Sequence, residues 1–282
     1  MMLSLTKGYL CPTTSFNGKV HSVFRRSMNI KTDLVDTPWV SLLDTRLSAT
    51  PTAYQCDFES IGALTNKINV GDTLFMRGGM IRLKSTLNLE INTLTAIQWQ
   101  QAPALLTINH YRIKNNVGMT EALLGKYISS KKQLTINSAA EYIQHLGLTL
   151  PNCIYIHSDK LAKNIGHGKG LTPSGDDFLI GVLAVLSSLK TVHPQAETLF
   201  NHIKTAIQLD INKTNEISAH YLTLALFHHF SHPVQWLIHD LFTATDASTL
   251  NHRVMANLNI GASSGADTLA GILYCLNNVL LN

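Results

Sequence analysis

The spacing of the apolar residues changes once along this chain, and that change limits the fold more than any other feature. Up to about residue 100 the period is near two. Val20 to Phe24 alternates, as does Trp39 to Leu43, and Leu87 to Ile91 alternates strictly. Leu74–Arg77 and Met80–Leu83 flank Gly78-Gly79, a pair that tolerates the positive φ of a tight hairpin turn. Val70-Gly71-Asp72 is a second turn entry. From about Pro103 the period lengthens to that of a helix. Residues 104–114, 119–130 and 138–146 have helical spacing, as do stretches near 175–192, 195–209, 215–230, 234–243, 247–257 and 264–281. Leu150 to His157 reads as one strand or an extended linker. The expected class is α+β: a β-rich N-terminal domain, barrel or sandwich, over residues 1–102, then a larger, mainly helical domain over 103–282.

The chain is long enough, at 282 residues, to bury a core without disulfide or metal staples. Hydrophobic residues make up 45% and charged residues 14%, which excludes a disordered chain and implies much buried surface, a subunit interface included. The net charge of +4 is weak for this length, and no Lys/Arg run exceeds two residues, so no nucleic-acid partner is expected. The longest apolar run, Phe178 to Leu186, is far short of the roughly 18–20 residues that cross a bilayer, and no signal peptide is visible. The four cysteines are scattered without a CxxC pair, which suits reduced thiols in a soluble cytoplasmic protein.

Chemistry concentrates between Gly166 and Asp177, in the sequence GHGKGLTPSGDD. Gly166, Gly168 and Gly170 alternate with His167 and Lys169 just before a helix start, a pattern that can cradle an anion. It is neither a P-loop, because Gly170 follows Lys169, nor a dinucleotide fingerprint, because the glycine spacing is wrong. Ser174 and Asp177 have the spacing of a capping box, as do Ser264 and Asp267. Capping does not require Asp176. Two adjacent carboxylates beside His167 and Lys169 are suited to orient a nucleophile or a substrate amide, or to ligate Mg²⁺. A third helix start has Thr214 as N-cap, with Thr214, Asn215 and Ser218 offering hydroxyl and amide groups to a polar ligand. The pattern S-G-x-D-x-x-x-G-x-L occurs twice, from Ser174 and from Ser264. It suggests two related helix starts packed where Gly181 and Gly271 let backbones approach. His228 and His232 are four apart, as metal ligands on one helix face can be, but they lack the Glu of H-E-x-x-H, and Pro233 signals a helix end.

The stretch Gly170 to Gly181, GLTPSGDDFLIG, resembles the AllH-like family. The segments Thr214–Ser218 and Gly261–Gly271 resemble its other two motifs, in the same order. The resemblance implies a subunit of a carbamoyltransferase that converts oxalurate and phosphate to oxamate and carbamoyl phosphate in anaerobic allantoin breakdown. Its partners would be a small anionic metabolite or phosphate and other subunits of a hetero-oligomeric enzyme, with no firm cofactor. Family members often carry His where this chain has Ala262, which puts any role of that His in doubt here. On this reading Asp176, Asp177, His167 and Lys169 are the catalytic candidates. Gly168, Gly170, Thr172, Ser174, Gly175, Thr214, Asn215, Ser218, Ser263, Ser264, Gly265 and Asp267 bind substrate, and three helix N-termini converge on one anion pocket. Two alternatives stay open: a non-catalytic anion-binding or scaffolding subunit, and a Mg²⁺-dependent hydrolase or phosphotransferase.

Overall fold

A computed structural model describes residues 2–57, 62, 65–83, 90–132 and 135–281. The chain divides into two compact units, Met1–Gln101 and Ala102–Asn282.

The first unit is one nine-stranded sheet. Its strands are β1 (Met2–Lys7), β2 (Phe16–Phe24), β3 (Ser27–Thr32), β4 (Trp39–Asp44), β5 (Ala53–Cys56), β6 (Thr73–Arg77), β7 (Met80–Leu83), β8 (Glu90–Asn92) and β9 (Ile97–Gln98). They lie in the order β5-β4-β3-β2-β6-β7-β8-β1-β9, and a further β1–β5 pairing draws the sheet round into a barrel-like curve. The hairpin expected at Gly78-Gly79 joins β6 to β7, with Met76 opposite Ile81 and both glycines at positive φ. Phe16, Met28, Ile30, Leu42 and Tyr54 fill the interior. Trp39–Asp44 differs from its alternating expectation, because all six residues are buried. Both faces of this strand, which pairs with β3 and a parallel β5, are covered, so alternation does not leave it a wet face. Leu87–Leu89 lies outside the described residues; β8 begins at Glu90.

The second unit is helical. It comprises α1 (His110–Lys132), α2 (Ala139–His145), α3 (Ile154–His157), a 3₁₀ stretch (Ser158–Asn164), α4 (Ser174–Leu189), α5 (Ala196–Asp210), α6 (Glu216–Leu226), α7 (His232–Thr243), α8 (Ala247–Leu258) and α9 (Ser264–Leu276), which continues as π-helix over Asn277–Leu281. The two helices expected over 104–114 and 119–130 are one, and it starts later. Asn109 accepts the Arg112 N–H and fixes the start. The polar Asn116 does not interrupt the helix, because its Nδ2 donates to the carbonyls of Leu241 and Ala244 at the end of α7. Leu150–His157 is no strand. It leads into α3, whose end runs on into the 3₁₀ stretch.

The most extensive helix contact in this unit joins α4 to α9. A Cβ at Gly181 would lie 3.1 Å from the Gly271 Cα, and one at Gly271 would lie 3.2 Å from the Phe178 Cα. The twice-occurring motif therefore builds two helices that touch backbone to backbone at equivalent glycines. Among the described residues no helix is long and apolar enough to cross a membrane.

Candidate active site at three helix starts

Because α4 and α9 touch at Gly181 and Gly271 and meet again at their first residues, they run side by side with N-termini together. The Thr172 and Ser264 hydroxyls lie 2.7 Å apart and join the loop before α4 to the first residue of α9. The start of α6 joins them through Asp176. One oxygen of that buried carboxylate accepts the Gly166 N–H at 2.8 Å; the other accepts Thr214 Oγ1 at 2.5 Å and Ser218 Oγ at 2.6 Å. Asn215 Nδ2 donates to the Leu171 carbonyl at 3.0 Å. Three helix starts and the glycine loop thus form one hydrogen-bonded cluster.

The caps differ from the expected ones. Pro173, not Ser174, is the N-cap of α4, and its carbonyl accepts the N–H groups of Asp176 and Asp177. Ser263, not Ser264, precedes α9, with no side-chain cap bond in either helix. The reciprocal Ser–Asp boxes do not form because Asp177 and Asp267 are buried in the cluster instead of reaching back along their own helices. Asn215 replaces Thr214 as the cap of α6 and accepts from the N–H groups of Ile217 and Ser218. The Thr214 hydroxyl is thereby left to Asp176.

The glycine loop has a conformation that other residues resist. Gly166, Gly168 and Gly170 have φ of 74°, 116° and 102°. A Cβ at Gly168 would also come 2.7 Å from the Ser174 nitrogen. The loop turns back on α4, where the Gly175 N–H donates to the His167 carbonyl at 2.8 Å. His167 and Lys169 are exposed on it. His167 Nε2 lies 2.8 Å from the Leu146 carbonyl, an atom that only accepts. The ring proton of the neutral form therefore sits on Nε2, and Nδ1 is the nitrogen that faces away from this bond.

Two carboxyls at equivalent places in the repeated motif are sealed in this cluster. Asp177 and Asp267 are both buried, and the Oδ2 of each has no hydrogen-bond partner. Burial holds the Asp177 carboxyl well above the usual carboxylate range. The adjacent Ser264 and Thr172 hydroxyls oppose that shift, and the charges of Asp267 and Asp176 reinforce it. The Tyr142 hydroxyl on α2 donates to Asp267 Oδ1 at 2.7 Å. Burial, then the Asp267 charge, pushes the Tyr142 hydroxyl up, so it remains a donor. Tyr142 was not expected from the sequence. Neither was Asn164, whose side chain is bound both ways to the Thr149 backbone and anchors the stretch before the loop.

Residues 4–103 match the model of the AllH family N-terminal domain, and residues 164–276 match that of AllH, the oxamate carbamoyltransferase subunit. The chain belongs to the AllH family. No curated protein and no solved structure matches it. The AllH match begins at Asn164 and ends in α9, so it spans the whole helix-start cluster but not Tyr142. Ala262 is exposed in the turn before Ser263.

The second metal reading loses its basis. α6 ends at Leu226, and His228 follows in a left-handed turn at φ 65° with Nδ1 2.8 Å from Ser187 Oγ. Pro233 does not end a helix; it stands in the first turn of α7, where its missing N–H costs nothing. His228 and His232 therefore lie on different elements. Among the described residues no group of three His, Cys, Asp or Glu could hold a metal ion. Asp176 is fully buried and its oxygens already accept three donors. The residues present do not suit that ion.

Proposed function

We propose that this AllH chain supplies an anion-binding active site to a multi-subunit carbamoyltransferase acting on oxalurate and phosphate. The observation that supports it is the joining of three helix starts, through Asp176 and through the Thr172–Ser264 contact, beside an exposed lysine. Helix N-termini and loop amides attract small planar anions, and Lys169 adds a full positive charge.

In the forward reaction a phosphate oxygen attacks the carbamoyl carbon. The C–N bond to oxamate breaks, carbamoyl phosphate forms, and the oxamate nitrogen takes up a proton. Lys169 and the Gly168–Gly170 backbone hold the phosphate or carboxylate. His167 relays the proton at Nδ1, since Nε2 is held by Leu146. Asp177, buried behind the Thr172 and Ser264 hydroxyls, acts on the carbamoyl group through them. Asp176 is a positioning residue, because its oxygens serve Gly166, Thr214 and Ser218.

A second reading is favoured by that same commitment. Asp176, Thr214, Asn215 and Ser218 bond chiefly to one another and to backbone, as a scaffolding or anion-binding subunit would require. Reconstitution separates the two. The complex is assembled with wild-type chain, with Lys169→Ala and with Asp177→Asn, and carbamoyl phosphate formation is followed. Loss of transfer with intact assembly supports an active site on this chain. Full transfer in both variants leaves the scaffolding role.

A further inference from the structure

Asn215 is exposed at the start of α6, yet its amide is committed at both ends. Oδ1 accepts the Ile217 N–H at 3.1 Å and the Ser218 N–H at 3.0 Å, which caps the helix. Nδ2 donates to the Leu171 carbonyl at 3.0 Å, 44 residues away in the chain. The cap needs only the oxygen, which serine or aspartate would supply as well. The nitrogen is what capping leaves unexplained.

The loop that this nitrogen reaches is held on either side of Leu171. Gly168 lies against the first residue of α4, where an added Cβ would come 2.7 Å from the Ser174 nitrogen. The Thr172 hydroxyl meets Ser264 Oγ at 2.7 Å. Between these points Lys169, Gly170 and Leu171 run exposed over the surface, and a Cβ on Gly170 would meet nothing within 4 Å. Among the described residues, the Asn215 amide is the one hydrogen-bond partner of that segment. Glycine has no single preferred φ, so the 102° of Gly170 has to be imposed from outside.

We propose that Asn215 is a positioning residue: its Nδ2–H clasps the Leu171 carbonyl and fixes Lys169–Leu171 in the shape that receives an anion. The inference deepens the functional reading above and rests on it for its consequence. Without the clasp the loop samples other shapes, and affinity falls with the fraction of molecules that stay competent. Loss of one such hydrogen bond weakens anion binding by about two- to tenfold. Saturating anion restores the competent shape, so KM rises while kcat holds.

The test is Asn215→Ser in the full-length chain, because serine keeps a cap oxygen and removes the amide donor; Asn215→Ala removes both. Asn215→Ser should leave Tm near the wild-type value, speed tryptic cleavage after Lys169 and amide exchange at Gly170 and Leu171, and weaken inorganic phosphate binding in calorimetry by the factor above. Asn215→Ala should do the same and lower Tm as well. In the reconstituted complex Asn215→Ser should raise KM for phosphate and keep kcat. Asn215→Asp, which also keeps the cap, repeats the cleavage and exchange measurements should the serine variant not fold. Wild-type cleavage and exchange in a variant that lacks the amide overturn the proposal. So does a fall in kcat at unchanged KM, because Asn215 would then touch the reacting group. A loosened loop with undiminished phosphate binding overturns the positioning role and spares the functional reading. A loosened loop in a chain whose wild type binds no phosphate supports the clasp and overturns that reading.

Discussion

Replacing Gly181 by Ala tests the packing on which the site is built, because two physical effects act with opposite sign. Gly181 is interior to α4, and helix propensity alone predicts that alanine stabilises by roughly 0.8–1 kcal/mol. The added methyl, however, would meet the Thr268 carbonyl oxygen, the Ile272 nitrogen at 2.9 Å and the Gly271 Cα at 3.1 Å. All three are backbone atoms of α9 and cannot rotate aside, so the helices must separate. Overpacking of this kind costs about 1–3 kcal/mol, and rigid neighbours place it at the upper end. The net expectation is a loss of about 1–2 kcal/mol after the propensity gain is subtracted. For a unit of this size that lowers Tm by roughly 2–8 °C. Gly271→Ala should behave alike, since its methyl would meet backbone of Phe178, and the double variant should lose less than the sum, because one separation of the helices accommodates both. Thermal and urea denaturation of the full chain measure this. A Gly181→Ala protein as stable as wild type, or more so, would refute the argument that backbone contact, not propensity, governs this helix pair.

Asp176→Ala should unfold the cluster as well as silence it: three donors lose their acceptor at a buried carboxylate, a cost of about 3 kcal/mol or more, visible in the melting curve before any activity is assayed. Lys169→Ala should leave Tm within error, because the side chain is exposed, while the affinity for phosphate or oxamate measured by calorimetry falls. Asp177 also predicts a pH dependence. Its native pKa is raised above its unfolded value, so its contribution to stability is complete below the unfolded value of about 3.9 and is lost as pH rises through the native one. Denaturation midpoints across that window should decline in the wild type and flatten in Asp177→Asn; parallel curves would argue against a buried proton.

What could be read in the sequence was what short-range chemistry decides. Gly78-Gly79 makes its hairpin because the turn itself demands positive φ, and the repeated S-G-x-D motif locates both helix starts. What could not be read depends on residues far away in the chain. Residues 115–118 look like a gap between two helices until Asn116 is seen to donate to the carbonyls at the end of α7. Trp39–Leu43 alternates on paper, yet the strand is buried on both faces. Asp176 stands out as one carboxylate more than capping needs, but the need it meets is set by Thr214 and Ser218, at the start of another helix. Tyr142 carries no local mark at all. A tyrosine on a short amphipathic helix is core by default, and only its 2.7 Å bond to Asp267 makes it more.

The repeat also indicates why chemistry is expected at one helix start and not the other. Asn164-Ile165-Gly166 has a counterpart in Asn259-Ile260-Gly261, and each leads to a Ser-Gly at the beginning of a helix. In both, the glycine after the serine donates its N–H back into the loop: Gly175 to the His167 carbonyl, Gly265 to the Ile260 carbonyl. The connecting loops are unequal. Residues 167–173 separate Gly166 from Ser174, whereas Ala262 and Ser263 alone separate Gly261 from Ser264. The longer copy has room for His167, Lys169 and two glycine amides, the groups proposed above to meet an anion. The shorter copy contributes Ser264 and Asp267 at its own helix start, toward the longer one. Two copies of one capping pattern, packed with their positive ends together, attract negative charge. On the proposed function, the loop that differs between the copies gives a substrate its place beside those ends.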